Sequence, residues 1–322
     1  MKYFAVIIIS LFFSNLFSQK DTIIQYREKV LSLYLDKVRN AVKDVDKKKL
    51  NQEFKDYLLE TLLIPNSYTY SFTKLKTIGI IDSPDNNFKI VNWNIQLEDD
   101  SNLFFCFIVK NNKKKKNKVI ELLCKTQVFE MPTNIIQESN WYGALYYKII
   151  PIKKGNKEVY TILGWRSNSN LSYMKVIDII QINGSHIKLG MPIFQNKKDK
   201  LNRAVFEYSK KASMSLKYEE KYDRIVFDHL SPESPSMNGL YEYYIPDMSY
   251  DAYIYENNLW ILNEDVVAIN NPEKNTYKQY NIDKNTGKIN EQEIKKEWID
   301  PSDQNAPGTQ NKHTPALPKI KK

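Results

Sequence analysis

The sequence predicts a mainly β protein, a large antiparallel up-and-down meander preceded by a short helical segment. Three observations carry this. From Phe88 to Asn263 apolar and polar residues alternate at a period of two. The alternating runs are rich in Ile, Val, Tyr and Phe and are bounded by turn residues. Most links between runs are too short for the crossover helix that parallel neighbours need. The 322 residues, 42% apolar and 26% charged, suit a folded chain with a sizeable core and exclude a disordered one. Nine glycines exclude collagen-like and Gly-rich repeats.

Two segments precede the meander. Lys2 is followed by the apolar run Tyr3–Phe13, and small and polar residues lead on to Lys20. This is the pattern of a secretory signal peptide, residues 1–18, cleaved after Ser18 or, alternatively, Gln19. The run is short for a membrane span, and no Cys stands near the cleavage point for lipid attachment. Next, Leu31, Tyr34, Val38, Val42 and Val45 recur at helical spacing, as do Leu50, Phe54, Tyr57, Leu58 and Leu62. They predict helices over Thr22–Asp44 and Lys47–Leu63 within a helical segment 19–65. Asp46 is a candidate cap, and Pro65 is the stop.

Strands are then expected at Phe88–Leu97, Leu103–Lys110, Lys118–Lys125, Tyr142–Ile152, Glu158–Trp165, Tyr173–Ile182, His186–Ile193, Arg203–Ser209, Ser213–Tyr218, Arg224–Leu230, Leu240–Ile245, Tyr250–Tyr255 and Leu259–Asn263. Asn183-Gly184 and Asn238-Gly239 mark turns. A last hairpin, Tyr277–Ile282 with Lys288–Ile294, closes the β domain 66–300. The Pro- and Lys-containing tail 301–322 reads as disordered. So many strands must curl, split into packed sheets or close. A barrel-like or propeller-like closure is left open, although only three hairpin-rich blocks are visible, starting near Phe88, Tyr142 and Arg203.

The net charge of +9 invites a nucleic-acid reading, but its distribution opposes one. Lys2, the run Lys113, Lys114, Lys115, Lys116 and Lys118, and the lysines after Asp300 account for the excess and leave the body neutral. Nucleic-acid binding needs a basic face on the fold. Arg, the preferred fork for phosphates and base edges, occurs only at positions 27, 39, 166, 203 and 224. The lysine run reads as a solvated hairpin tip that also discourages edge pairing. Its other reading is weak contact with an anionic surface.

Catalytic, metal and cofactor signals are not found. Asp283–Gly287 does not fit a calcium loop, since Gly falls one place early and Ile294 stands where the bidentate Glu belongs. His186, His229 and His313 are too dispersed for a metal cluster. Asp228, His229 and Ser231 are hydrolase residue types, but neighbours on a strand face opposite sides. Asp247 and Asp251 are candidate paired acids, with turn formation as the alternative. The positive signal is aromatic: 22 Tyr, 14 Phe and 5 Trp. Trp141, Tyr142, Tyr146, Trp165, Tyr243 and Tyr253 are candidates for lining a groove that takes glycan or peptide. Cross-strand packing is the other reading. Cys106 and Cys124 flank the lysine run, and a hairpin centred on Lys115 sets them face to face, a disulfide candidate in an oxidising compartment. Two buried thiols are the alternative.

The stretches Trp141-Tyr142-Gly143-Ala144-Leu145-Tyr146-Tyr147, Leu163-Gly164-Trp165, Ala204–Tyr218 and Ile225–Pro232 resemble a family of exported Gram-negative proteins whose role is not established. The resemblance spans about Phe88–Val266 and implies an envelope protein. No functional residue comes with it.

The expected function is therefore that of an exported cell-envelope protein, periplasmic or outer-membrane-associated, that binds or scaffolds an envelope protein or glycan. The alternative is a glycan- or peptide-directed hydrolase of the envelope. Replacing Ile7, Ile8 and Ile9 with Asp is expected to trap the uncleaved precursor in the cytoplasm, read by fractionation and intact mass. Normal export of that variant refutes the leader.

Overall fold

A computed structural model describes residues 22–112, 116–124, 131–155, 157–197 and 199–267, together with the strands Thr276–Ile282 and Ile289–Lys295. The expected signal peptide, Lys113, Lys114, Lys115, the turn 283–287 and the tail lie outside the described residues. The chain divides into two compact units at Val266/Val267, rather than running as one β domain to residue 300. The second unit contains the hairpin Thr276–Ile282 with Ile289–Lys295.

The first unit is a stack of four layers. Helices α1 (22–40) and α2 (Asp44–Leu62) form the outer layer. Below them lies a four-stranded antiparallel sheet of β1 (Gly79–Asp82), β2 (Phe88–Gln96), β3 (Asn102–Lys110) and β4 (Lys118–Leu122). The third layer is a sheet in the order β5 (Ile136–Gln137), β9 (His186–Leu189), β8 (Ser172–Asn183), β7 (Lys157–Ser167) and β6 (Leu145–Lys154). The fourth runs β11 (Asp199–Leu201), β10 (Phe194–Asn196), β16 (Leu259–Asn263), β15 (Tyr244–Glu256), β14 (Arg224–Pro232) and β13 (Leu216–Glu219), while β12 (Ala204–Ser209) pairs with β8 of the third layer. The class is as expected: mainly β, antiparallel, with helices first. The strands split into packed sheets, and no closed barrel forms among the described residues. Three pairs depart from a strict meander by joining strands out of chain order, β5 with β9, β12 with β8 and β10 with β16, and the last of these is parallel.

The period of two explains the layers. On β2, Val91, Trp93 and Ile95 face the helices, whereas Phe88 and Ile90 face the third layer. On β8, Val176 and Ile180 face the second layer, and Ile177 and Ile179 face the fourth. The second and third sheets are thus apolar on both faces, and each fully buried large side chain contributes about 1.5–3 kcal/mol. Trp93 anchors the helical layer. It lies 5.4 Å edge-on from Phe54 and 5.3 Å stacked on Phe105, and its Nε1 donates to Asn51 Oδ1 at 2.8 Å.

Polar clasps hold the layers in register. Asn92, fully buried, accepts from the Tyr146 backbone N–H at 2.8 Å and donates to the Gly79 carbonyl at 3.2 Å. A side chain at position 79 would strike that amide, since a Cβ there would lie 2.8 Å from Asn92 Nδ2. The larger clasp is a chain between the second and third layers. Trp141 Nε1 donates to Tyr146 Oη (2.8 Å), Tyr146 to Tyr142 Oη (3.1 Å), and Tyr142 to Asp178 Oδ2 (3.0 Å). Arg203 Nε donates to the same carboxylate oxygen at 3.0 Å, its Nη1 to the carbonyls of Pro132 and Asn134, and its Nη2 to that of Leu189. Burial pushes the Asp178 carboxyl above its ordinary range, against the pull of Arg203.

Several boundaries differ from those the sequence predicts. Val42 and Val45, each 78% exposed, stand at the corner between the helices rather than in an apolar stripe. The cap of α2 is Lys43, with no side-chain cap bond; Asp46 lies in the first turn. The stretch Leu240–Ile245 begins as a 3-10 turn, Tyr241–Tyr243, before β15. The hairpin between β3 and β4 sets Cys106 opposite Leu122, not Cys124, because its register is displaced by two residues from the expected one. Cys124 lies beyond the end of β4, bridges to Trp141, and is not bonded to Cys106. The loop end at Asn117 is tied instead to the α2 terminus: its backbone N–H donates to Leu63 O and its amide to Leu62 O and Ile64 O, filling carbonyls that a helix end leaves open.

Removing one partner of a buried ion pair leaves a charge with nothing to answer it, at a cost of about 3–5 kcal/mol. Arg203→Met is therefore expected to destabilise the protein by about that much in urea denaturation. The double variant Arg203→Met with Asp178→Asn is expected to recover part of the loss.

Candidate functional site

The structure separates the aromatic candidates. Trp141, Tyr142 and Tyr146 are buried between the second and third layers, where their polar atoms feed the Asp178 chain. Tyr253 is buried between the third and fourth layers, with its hydroxyl on Asn196. Trp165 is half-buried, 5.2 Å from the Tyr173 ring, and Tyr243 lies in the 3-10 turn before β15. These six form no common groove. The Tyr142 hydroxyl is satisfied by the buried Asp178 and that of Tyr253 by the half-buried amide of Asn196.

Asp228, His229 and Ser231 also rearrange. Between β14 and β15 the pairing passes from Asp228↔Tyr250 to Leu230↔Pro246, so His229 alone faces Asp247, Met248 and Ser249. Met248 sits in this bulge at φ +73 and is 92% exposed. Asp247 accepts from the Ser231 hydroxyl (2.7 Å) and from the Ser249 hydroxyl and N–H (2.7 and 3.1 Å). These bonds, that of Ser231 foremost, bring its carboxyl down to about 2. His229 Nδ1 lies 2.7 Å from Asp251 Oδ2, and Asp251 is held in turn by the Asp265 N–H at 3.1 Å. The hydrogen bond to Asp251, and then the charges of Asp251, Asp247 and Asp265, raise the imidazole above its ordinary value. Asp228 points away and accepts from the Ser215 N–H. Thus Asp251, not Asp228, is the partner of His229. Among the described residues no three His, Cys, Asp or Glu side chains are placed to hold a metal ion, and no helix is long and apolar enough to cross a membrane.

A polar cavity opens where the helical layer meets the edge of the second layer. It measures about 300 Å³ and is lined by Tyr68, Tyr70, Ser71, Asp82, Asn86 and Lys89, among others. Lys89 follows the same phase of β2 as Val91, Trp93 and Ile95, so its stem enters the apolar layer and only 3% of the residue is exposed. Its ammonium donates to the Tyr68 carbonyl at 2.7 Å and meets Asp82, its cross-strand partner, at 3.3 Å. Just past the lining segment 68–71, Phe72 is buried in the helical-layer core at φ +45, a region a bulky side chain rarely occupies. Tyr70 is fixed from behind by its hydroxyl bond to the buried Glu28 (2.7 Å). Sequence reasoning passed over this site. Its signal is a lysine in the apolar phase of a strand.

Set against protein families, curated proteins and solved structures, the chain matches none.

The His229–Asp251 pair has a measurable consequence. Because the folded-state value of His229 is raised, its stabilising contribution is complete below about 6.5, the ordinary value, and is lost as pH rises through the higher folded value. Imidazole NMR titration is expected to place His229 above 6.5, and Asp251→Asn to return it toward the ordinary range.

Proposed function

We propose that this protein is an exported cell-envelope protein that works by binding, with the Lys89 cavity as its recognition site. The cavity supports the reading best. It combines a buried ammonium, an exposed carboxylate and two tyrosine walls in a space at the small end of ligand sites, which run from about 300 to 1,000 Å³. The basic start and apolar run of residues 2–17 support export.

A specific observation favours the second reading, an envelope hydrolase. His229 and Asp251 are joined as a base and its orienting acid are joined in hydrolytic sites, and the imidazole side chain is 41% exposed. Against it, the Ser231 hydroxyl donates to Asp247.

The test is thermal denaturation with and without a small-molecule and glycan extract of the envelope. A ligand at about a hundredfold its Kd adds about 2.7 kcal/mol, so Tm is expected to rise for the wild type and not for Ser71→Trp, which blocks the cavity mouth from an exposed rim position. An equal rise in both overturns the cavity. Turnover of the extract that His229→Ala abolishes overturns the binding reading.

A further inference from the structure

The cavity's polar atoms restrict what it accepts. An ammonium has three donors. Lys89 directs one to the Tyr68 carbonyl and one to Asp82. Asp82 is 54% exposed at its side chain, so its carboxylate keeps acceptor sites toward the opening. Ser71, on the exposed rim, adds a hydroxyl that donates or accepts. The negative charge at the rim is the exposed Asp82 carboxylate, which answers Lys89, and Asp85, outside the lining, acts on the Tyr68 phenol through its charge. Burial, and then those two carboxylates, push the Tyr68 phenol up to about 12.

An anionic ligand meets that negative rim and has to displace Asp82 to reach Lys89. A cationic ligand finds the rim but is repelled by the buried ammonium at the floor. A neutral ligand with adjacent hydroxyls avoids both conflicts. One hydroxyl donates to Asp82 and its neighbour accepts from Lys89 or Ser71. Its C–H face then lies against tyrosine, the residue type suited to a surface that is apolar at one end and wet at the other.

We infer that the Lys89 cavity binds one ring of a neutral saccharide, with Asp82 as acceptor, Lys89 and Ser71 as donors, and tyrosine as the apolar wall. This assignment rests on the binding role proposed above and names its ligand class. A free monosaccharide and the terminal ring of an envelope glycan present the same chemistry.

The experiment is saturation-transfer NMR on the full mature chain with D-glucose, D-galactose, D-mannose and N-acetyl-D-glucosamine, each compared with a uronic acid (D-glucuronate or D-galacturonate). Transfer is expected from at least one neutral sugar and not from the uronates. Ser71→Trp is expected to abolish it. Asp82→Asn and Lys89→Met are expected to weaken binding about tenfold or more, the worth of a charge-assisted hydrogen bond. Should Lys89→Met fail to fold, the two exposed-site variants decide. Equal affinity for the responding sugar and its β-1,4-linked trimer identifies a glycan end, and loss with the trimer identifies a free monosaccharide; both support the class. No transfer from any neutral sugar, or preference for the uronates, overturns it. If the envelope extract still raises Tm in a Ser71-dependent way, the saccharide assignment falls and the binding role stands. If neither signal appears, both fall.

Discussion

The carboxylate of Asp178 lies between two sheets, with apolar side chains on every side of the strand that carries it, and its charge has to be answered there. Arg203 supplies the answer from the chain just ahead of β12, and the rest of its guanidinium takes up carbonyls at 132, 134 and 189. One side chain therefore fixes β8, β9 and the 131–135 segment together. On the far side of the carboxylate, Tyr142, Tyr146 and Trp141 pass hydrogen bonds inward until none of their polar atoms needs water. The cost of burying the charge is recovered only if all these bonds form at once. This contact selects one arrangement of the third layer, whereas apolar packing alone tolerates many.

The same pressure shapes the surface sites. Lys89 is drawn under the helical layer by the phase of β2 and finds a carbonyl and an acid within reach. His229 is thrust outward by the bulge in β15 and is steadied by an acid four residues beyond Asp247. In each case an ionisable group departs from the regular pattern of its strand, and neighbouring elements hold the departure in place.

Much of the architecture was legible from periodicity. Most of the long strands and both helices lie within a few residues of their expected bounds, and Thr276–Ile282 pairs with Ile289–Lys295 as expected, whereas β15 runs unbroken from Tyr244 to Glu256 where the sequence predicts two strands, Leu240–Ile245 and Tyr250–Tyr255. The short elements were not legible. Gly79–Asp82 and Phe194–Asn196 hold too few residues for a period to appear, and sheet neighbours rather than their own composition make them strands. The displaced register of Cys106 and the pairing of His229 with Asp251 both depend on how many residues a loop or bulge absorbs, a quantity local pattern does not contain. The aromatic groove failed for a different reason. A tyrosine needs a partner for its hydroxyl, and sequence does not say whether that partner is water or a buried acid.

The parallel pairing of β10 with β16 has a consequence for how the chain reaches this form. Hairpins can close as soon as both arms exist, but β10 and β11 have no place in the fourth layer until β16 has been made, with four other strands intervening. Phe194, wholly buried in the finished protein, stays uncovered for that interval. Non-local pairings of this kind are slow to form and leave strand edges open meanwhile. An emerging chain therefore carries an unprotected edge from Phe194 until Leu259–Asn263 has been made, and whatever shields that edge, a chaperone or a delay in folding, governs the yield of native protein.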